Sequence, residues 1–290
     1  MSAARQFGLI ANPTKPETAS LARAVLARME ALGWSALPNE ETACLLGNAM
    51  QPISADEIAH RAAFIVVLGG DGTILRTARA FGPGVPPLAA INVGRLGFLT
   101  TAAENQIDEF LLALTSGRFT LSHRSLLEVS YATRSGQSVI ATALNEATLT
   151  RGRQPRMILI EARIDGDLLN RYRGDGLIVS TPTGSTAYSL SAGGPLVSPK
   201  ANVFVVTPIC SHTLSDLAVV VGDSASLELI PLGEADETLL TLDGDGSVAV
   251  PIGIPIRLRR AAYDLPLVDL PGHNFFRLVQ SKLGWSGSTV

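Results

Sequence analysis

The sequence predicts two architectures in one chain: an open, mostly parallel α/β sheet, then an all-β, sandwich-like region. Three observations carry this. Strand and helix signals alternate over about the first hundred residues. That rhythm stops near Phe119 and gives way to short apolar runs separated by turn residues. A glycine cluster, Gly69-Gly70-Asp71-Gly72-Thr73, follows directly on one of the α/β strands.

Taken in order, Phe7 to Ala11 is a short apolar strand ended by the Asn12-Pro13 breaker. Leu21, Val25, Met29 and Leu32 recur at helical spacing, and Gly33 supplies a stop. Ser54-Ala55-Asp56-Glu57 reads as a capping box. The run Phe64 to Leu68 enters the glycine cluster, and Thr73 opens a helical segment, Ile74 to Phe81. Leu88 to Asn92 is the next strand, and Ile107, Phe110, Leu111 and Leu114 form a helix stripe before Gly117. Beyond Phe119 come Leu126 to Ala132, Ser138 to Leu149, Met157 to Ile164 and Leu168 to Tyr172, the last two joined by the hairpin signal Asp165-Gly166. Further strands are expected at Leu177 to Ser180, Val203 to Thr207, Ala218 to Val221, Ser226 to Ile230, Thr238 to Leu242, Ser247 to Val250 and Pro255 to Arg259. Asn274 caps a final helix, Phe275 to Leu283, and Gly284 ends it.

With 290 residues the chain is long enough for two cores. Its net charge of −3 argues against a nucleic-acid partner. Cys44 and Cys210 lie far apart and suggest no disulfide framework, so a reducing cytoplasm is the expectation. No apolar run approaches the ~18–20 residues that span a bilayer, and Met1 to Arg5 shows no signal-peptide pattern, so no membrane partner is expected.

A strand, a glycine loop and a helix start make a phosphate cradle: glycines admit an anion close to the backbone, and free N–H groups at the helix start point at it. Asp71 at its centre would repel phosphates unless it accepts a proton or meets a metal ion, which points to phosphoryl transfer. The plainer alternative is a tight turn with Asp71 capping the helix. The loop is neither G-x-G-x-x-G nor G-x-x-x-x-G-K-[ST], and G-x-S-x-G and H-E-x-x-H are absent. His60, His123, His212 and His273 are scattered and suggest no metal cluster. Arg173-Gly174-Asp175-Gly176 and the run Thr181 to Pro195 place hydroxyls, glycines and one ring, Tyr188, after a strand. They read either as a binding loop for sugar and base or as a surface loop with ST-turns. Asn145-Glu146 lies in a strand-like run where neighbours face opposite ways, so both reach a ligand only at a bulge or strand end. Arg151, Arg153 and Arg156 form a basic cluster, solvated or near a phosphate.

Together these segments resemble the NAD kinase family, which carries G-G-D-G-T, an N-E or N-D pair, and a G-D-G…T-P-T-G-S-T-A-Y…S-A-G-G-P signature in this order. Asn92-Val93-Gly94-Arg95-Leu96-Gly97-Phe98-Leu99, His212-Thr213-Leu214 and Lys282-Leu283-Gly284-Trp285 match as well, so the resemblance covers nearly the whole chain. It implies an N-terminal α/β domain that binds the phosphate donor (1–118), a C-terminal β-rich NAD-binding domain (119–270), and a last helix returning to the first domain (271–290). It implies phosphorylation of the adenosine ribose 2′-hydroxyl of NAD, giving NADP. The donor would be ATP or polyphosphate with Mg²⁺ or another divalent cation, and the protein a cytoplasmic homodimer or homotetramer. By the same resemblance Asp71 would be the general base, Gly70 and Gly72 would shape the phosphate loop, and Phe98 would lie near an adenine. Asn145 and Glu146 would hold ribose hydroxyls, and Asp175 would approach the nicotinamide side. Thr186, Ala187, Tyr188 and Ser191 would line the nucleotide pocket, with Arg156 and Arg173 near the ligand. Asp245 stands where many members have Gln, which adds a charge and removes a donor; Thr101 stands where Asp often follows G-F-L-T. The alternatives are a related kinase acting on a lipid or sugar phosphate, and a non-catalytic NAD(P) sensor on the same fold.

Overall fold

The computed structural model describes residues 5–94, 97–152, 156–233, 238–272 and 274–285. Arg95, Leu96, Arg153 and His273, singled out in the sequence, lie outside the described residues. The first half of the chain runs β1 (Gln6–Ala11), α1 (Thr18–Ala31), β2 (Ser35–Pro38), α2 (Glu40–Leu45), α3 (Ala55–Arg61), β3 (Ile65–Gly69), α4 (Asp71–Phe81), β4 (Leu88–Asn92), β5 (Ala102–Ala103), α5 (Ile107–Thr115) and β6 (Thr120–Ala132). It continues with β7 (Ser138–Ala143), β8 (Glu146–Arg151), β9 (Ile158–Ile164), β10 (Asp167–Gly174), β11 (Gly176–Ser180), α6 (Tyr188–Ser191), β12 (Val203–Ile209), β13 (Val219–Gly222), β14 (Leu227–Leu232), β15 (Thr238–Leu242), β16 (Asp245–Val250), β17 (Ile256–Asp269) and α7 (Phe275–Leu283). The chain forms two compact units, Met1–His123 with Leu265–Val290, and Arg124–Asp264.

In the first unit the parallel strands lie in the order β4-β3-β1-β2. Strands β3 and β4 are buried at every residue, as strands covered on both faces must be. Leu21, Ala22, Val25 and Met29 of α1 and Phe110, Leu111 and Leu114 of α5 pack on Phe7, Leu9, Val66, Leu68 and Ile91. Chain order reverses between β1 and β3, because β1 leads to β2 on one side and β3 to β4 on the other. Loops leaving the carboxyl ends of those two strands therefore diverge and leave a crevice. Helix α7 belongs to this unit; Asn274 Oδ1 accepts from the N–H groups of Phe276 and Arg277, and Gly284 closes it at φ 67°.

The second unit stacks two sheets. One holds β10-β9-β14-β17 with the β6–β7 hairpin, the other runs β13-β12-β11-β8-β15-β16. Its core draws Leu127, Ile160, Tyr172, Leu227 and Leu258 from the first sheet and Leu149, Val179, Phe204 and Leu240 from the second, the interleaving that defines a sandwich. Asp165 (φ 51°) and Gly166 (φ 89°) make the expected left-handed turn between β9 and β10.

The structure departs from the sequence reading in several places. The short β2 and α2 carried too weak a period to register. Helix α4 starts at Asp71, two residues before Thr73. The run Ser138 to Leu149 is two strands, broken at Leu144-Asn145. Strand β17 continues to Asp269, ten residues beyond Arg259. Thr101, the departure from the family pattern, donates its hydroxyl to the Val268 carbonyl at 2.7 Å, a local structural role. Among the described residues no helix is long and apolar enough to cross a membrane.

Candidate functional site

The predicted residues fall into two constellations, one in each unit. The first surrounds the glycine loop at the carboxyl end of β3. Gly69 is glycine for packing, since a Cβ there would overlap the Thr73 hydroxyl. Gly70 and Gly72 have no such reason: a Cβ on Gly72 meets nothing within 4 Å, and one on Gly70 meets only Asn92 Oδ1 at 3.9 Å. Their surroundings are open, which suits a loop that must admit something else. Gly70 is the N-cap of α4, and this helix of 11 residues directs its N–H groups and the positive end of its dipole into the loop.

Asp71 is not the cap. Its Oδ2 accepts from the Phe98 N–H at 2.8 Å and its Oδ1 from the Leu99 N–H at 3.0 Å. Gly97 is glycine because a Cβ there would overlap the Asp71 carboxylate. The carboxylate thus holds the 97–99 turn beside the loop while staying partly exposed. A carboxylate has about four lone-pair positions, so two remain for another donor. Phe98 is half-buried, with the Lys282 ammonium 5.1 Å from its ring centroid.

Sequence reasoning missed Lys15. It lies in the loop after β1, on the opposite side of the crevice from Asp71's loop, and its ammonium donates to the Val93 carbonyl after β4. It therefore brings a cation to the switch point where the Asp71 loop starts. The readable signal was a Lys two residues beyond the Asn12-Pro13 breaker that ends the first strand.

The second constellation is built on the break between β7 and β8. Asn145 and Glu146 are both buried there, at 9% and 5% exposure. Three groups hold the turn. Thr181 donates its hydroxyl to the Leu144 carbonyl at 2.5 Å and its N–H to the Asn145 carbonyl at 2.8 Å. Gly184 seats directly on Asn145, where a Cβ would overlap the carbonyl. Asp243 accepts from the N–H groups of Leu144, Asn145 and Glu146 at 3.0, 2.7 and 3.2 Å. Burial, with the nearby Asp243 charge adding to it, pushes the Glu146 carboxyl up to about 7, against a lowering from the Tyr188 backbone N–H that it accepts. Glu146 Oε2 is buried and has no hydrogen-bond partner among the described residues. A buried carboxylate oxygen without a donor is costly and marks a place where a ligand's hydroxyl would be accommodated.

The hydroxyl-rich run divides in two. Ser185 donates to the Pro182 carbonyl and accepts from the Val197 N–H at 2.8 and 3.0 Å, and Ser189 bonds the Thr207 hydroxyl at 2.8 Å. These buried hydroxyls fold the loop. Thr186, Ala187, Tyr188 and Ser191 stay accessible, with Tyr188 44% exposed at the start of α6 and the Thr186 hydroxyl donating to the Thr183 carbonyl at 3.2 Å. Asp175 pairs with Arg151 Nε at 2.7 Å across the β8–β11 junction. Gly174 and Gly176 around it are packing glycines that backbone carbonyls of β12 and β8 press against. Arg156, Arg173 and Asp245 are exposed, on the approach to β9, on β10 and at the start of β16. The structure thus brings the buried Asn145 and Glu146 against the 184–188 segment, through Gly184 on the Asn145 carbonyl and the Tyr188 N–H at the Glu146 carboxyl, and pairs Asp175 with Arg151.

Known proteins match the chain over both of its halves. Residues 7–119 match the model of the ATP-NAD kinase N-terminal domain and residues 144–270 that of the ATP-NAD kinase C-terminal domain. An NAD kinase of Moorella thermoacetica is 37% identical over 284 residues, 98% of this chain and 91% of that protein. One from Nitrosomonas europaea is 39% identical over 257 residues, 88% and 86% of the two chains. Yeast NADH kinase complexed with NADH superposes with a TM-score of 0.91 at 26% identity, covering 100% of this chain and 90% of that one. The Archaeoglobus fulgidus NAD kinase in complex with ATP gives 0.75 at 26% identity over 97% and 100%. Both halves of the chain and nearly its whole length match in this way, and the chain belongs to the NAD kinase family.

Proposed function

We propose that this protein phosphorylates the adenosine ribose 2′-hydroxyl of NAD with ATP, with Asp71 as general base. The observation that carries the proposal is the Asp71 loop: two glycines without a packing reason, a helix start aimed into it, and a carboxylate that keeps free acceptor positions. In this reading the first unit cradles the donor phosphates and the second holds NAD. Asn145 and Glu146 take ribose hydroxyls, Tyr188 offers a ring to stack on, Thr186, Ala187 and Ser191 line the pocket, and Phe98 lies near an adenine. Asp175, Arg156, Arg173 and Asp245 contact more distant parts of the nucleotides. The divalent cation comes as part of the metal–ATP substrate, where it draws charge from the transferring phosphate and offsets that of Asp71.

The 2′-oxygen forms its bond to the γ-phosphorus as the bond to the β–γ bridging oxygen breaks, and ADP leaves. Such a transition state is loose, so little proton removal is needed early. Asp71 first orients the hydroxyl and takes its proton late, a role worth roughly 10²–10⁴-fold in rate. A cytoplasmic homodimer or homotetramer is the matching assembly; two free, exposed cysteines suit a reducing compartment.

The test is NADP formation by the purified chain with NAD, ATP and Mg²⁺, read by an NADP-specific dehydrogenase. Asp71→Asn should lower kcat by roughly 10²–10⁴-fold and leave the NAD Kd within a few-fold. A near-normal kcat in the folded variant would remove the base role. Wild-type protein that binds NAD without forming NADP would turn the reading towards a sensor.

A further inference from the structure

The β15–β16 hairpin closes in two residues, with Leu242 paired to Asp245. Asp243 and Gly244 take φ of 52° and 69°, the left-handed pair of a type I′ turn, which aspartate followed by glycine tolerates well. Sequence alone explains an aspartate there as a turn former. Its side chain does more. It accepts from three consecutive N–H groups, Leu144, Asn145 and Glu146, and its own N–H donates to the Glu146 carbonyl at 2.9 Å. A carboxylate collecting neighbouring backbone donors fixes the path of that backbone. Strand β15 pairs with β8 just beyond the turn, Leu242 opposite Ala147, so the hairpin is anchored next to the residues it holds.

We propose that Asp243 is the positioning residue of the nucleotide site: it clasps the 144–146 turn and thereby sets where the Asn145 and Glu146 side chains meet NAD. The proposal rests on the reading that those two residues hold the ribose. Asp243 touches no reacting atom. It acts through backbone geometry and through its charge beside Glu146. Among the described residues the groups that face the Glu146 carboxyl are Asp243 on this hairpin and Tyr188 on α6, the latter through its backbone N–H. Exposed Asp245, two residues on, begins β16 and holds none of the three N–H groups that Asp243 does.

The experiment measures NAD Kd by calorimetry from pH 5.5 to 8.5 on wild type, Asp243→Asn and Glu146→Gln, with thermal unfolding of each. Wild-type binding should tighten as pH rises through about 7, where Glu146 ionises. Asp243→Asn keeps one acceptor and loses the charge. It should weaken binding roughly tenfold or more, raise the NAD KM more than it lowers kcat, and move the midpoint to lower pH. The midpoint reads the charge of Asp243 beside Glu146, and the rise in NAD KM over the change in kcat reads its hold on the turn. A folded Asp243→Asn with wild-type Kd and NAD KM overturns the proposal, whether or not the midpoint moves. If Glu146→Gln leaves Kd and pH profile unchanged, the ribose reading fails instead, so the two failures are distinct. Hydrogen exchange on wild-type protein needs no variant. The amides of 144–146 should be protected before NAD is added, and exchange at unprotected rates overturns the clasp.

Discussion

The two constellations spend their small residues differently. Around Asp71 the loop glycines 70 and 72 face open space and the aspartate keeps spare acceptors. Around Glu146 much of the signature is used by the protein itself: Gly184 lies on the Asn145 carbonyl, Gly194 on Ser189 and Thr207, and Ser185 caps its own loop. A dense motif is therefore not a dense set of ligand contacts. In the first unit the motif is, in the proposed reading, itself the cradle. In the second, most of it is scaffolding that holds a few accessible groups still.

Paired glycine substitutions break this comparison most sharply. Gly184→Ala must displace the Asn145 backbone, which cannot rotate away like a side chain. It should destabilise the protein at the upper end of about 1–3 kcal/mol and weaken NAD binding with it. Gly72→Ala enters open space inside α4 at a negative φ, so it should leave stability unchanged or raise it by about 0.4–1 kcal/mol while slowing turnover. Denaturant unfolding beside steady-state kinetics separates the two. Equal stability losses would mean that both loops are scaffolding.

Glu146 extends the contrast to pH. Its carboxyl ionises at about 7 in the folded chain against an ordinary value of 4.5. The native state therefore binds more protons than the unfolded state between those values. Stability from this group is fully present below about 4.5 and is lost as pH rises through about 7. At 1.36 kcal/mol per unit the loss is about 3 kcal/mol at most. Glu146→Gln, neutral at every pH, should be more stable than wild type at pH 8 and not at pH 4.5, while binding NAD less well. Urea midpoints that change with pH equally in both proteins would count against a buried, ligand-seeking carboxylate.

Much of this was legible in the sequence, and the exceptions share a cause. Periodicity gave the strands β3 and β4, helix α7 with its Asn274 cap, and the change of architecture, because each is a local property of neighbouring residues. Asn145 and Glu146 stood out as a pair, and the strand end that lets them act together is visible only once β7 stops at Ala143. The aspartate flagged in the L-D-G-D turn was Asp245, whereas the clasp is Asp243, about a hundred residues from its partners. Hydroxyls read as donors for a sugar proved in part to be hinges and caps. Long-range hydrogen bonds leave no period in a sequence.

Lys15 was lost for the same reason, and it yields the smallest expected effect. Its ammonium reaches from the loop after β1 to the Val93 carbonyl after β4, across the crevice that the chain-order reversal between β1 and β3 opens. If the first unit cradles donor phosphates, this partly buried cation attracts them across a short distance. Lys15→Ala should keep the fold, leave NAD binding alone, and raise the ATP KM by roughly 5–10-fold, about 1 kcal/mol. The difference between variant and wild type should shrink as salt rises, because the contact is only partly shielded from water. A variant whose NAD Kd changes instead of its ATP KM would move the division of labour itself, putting the dinucleotide rather than the donor at the switch point.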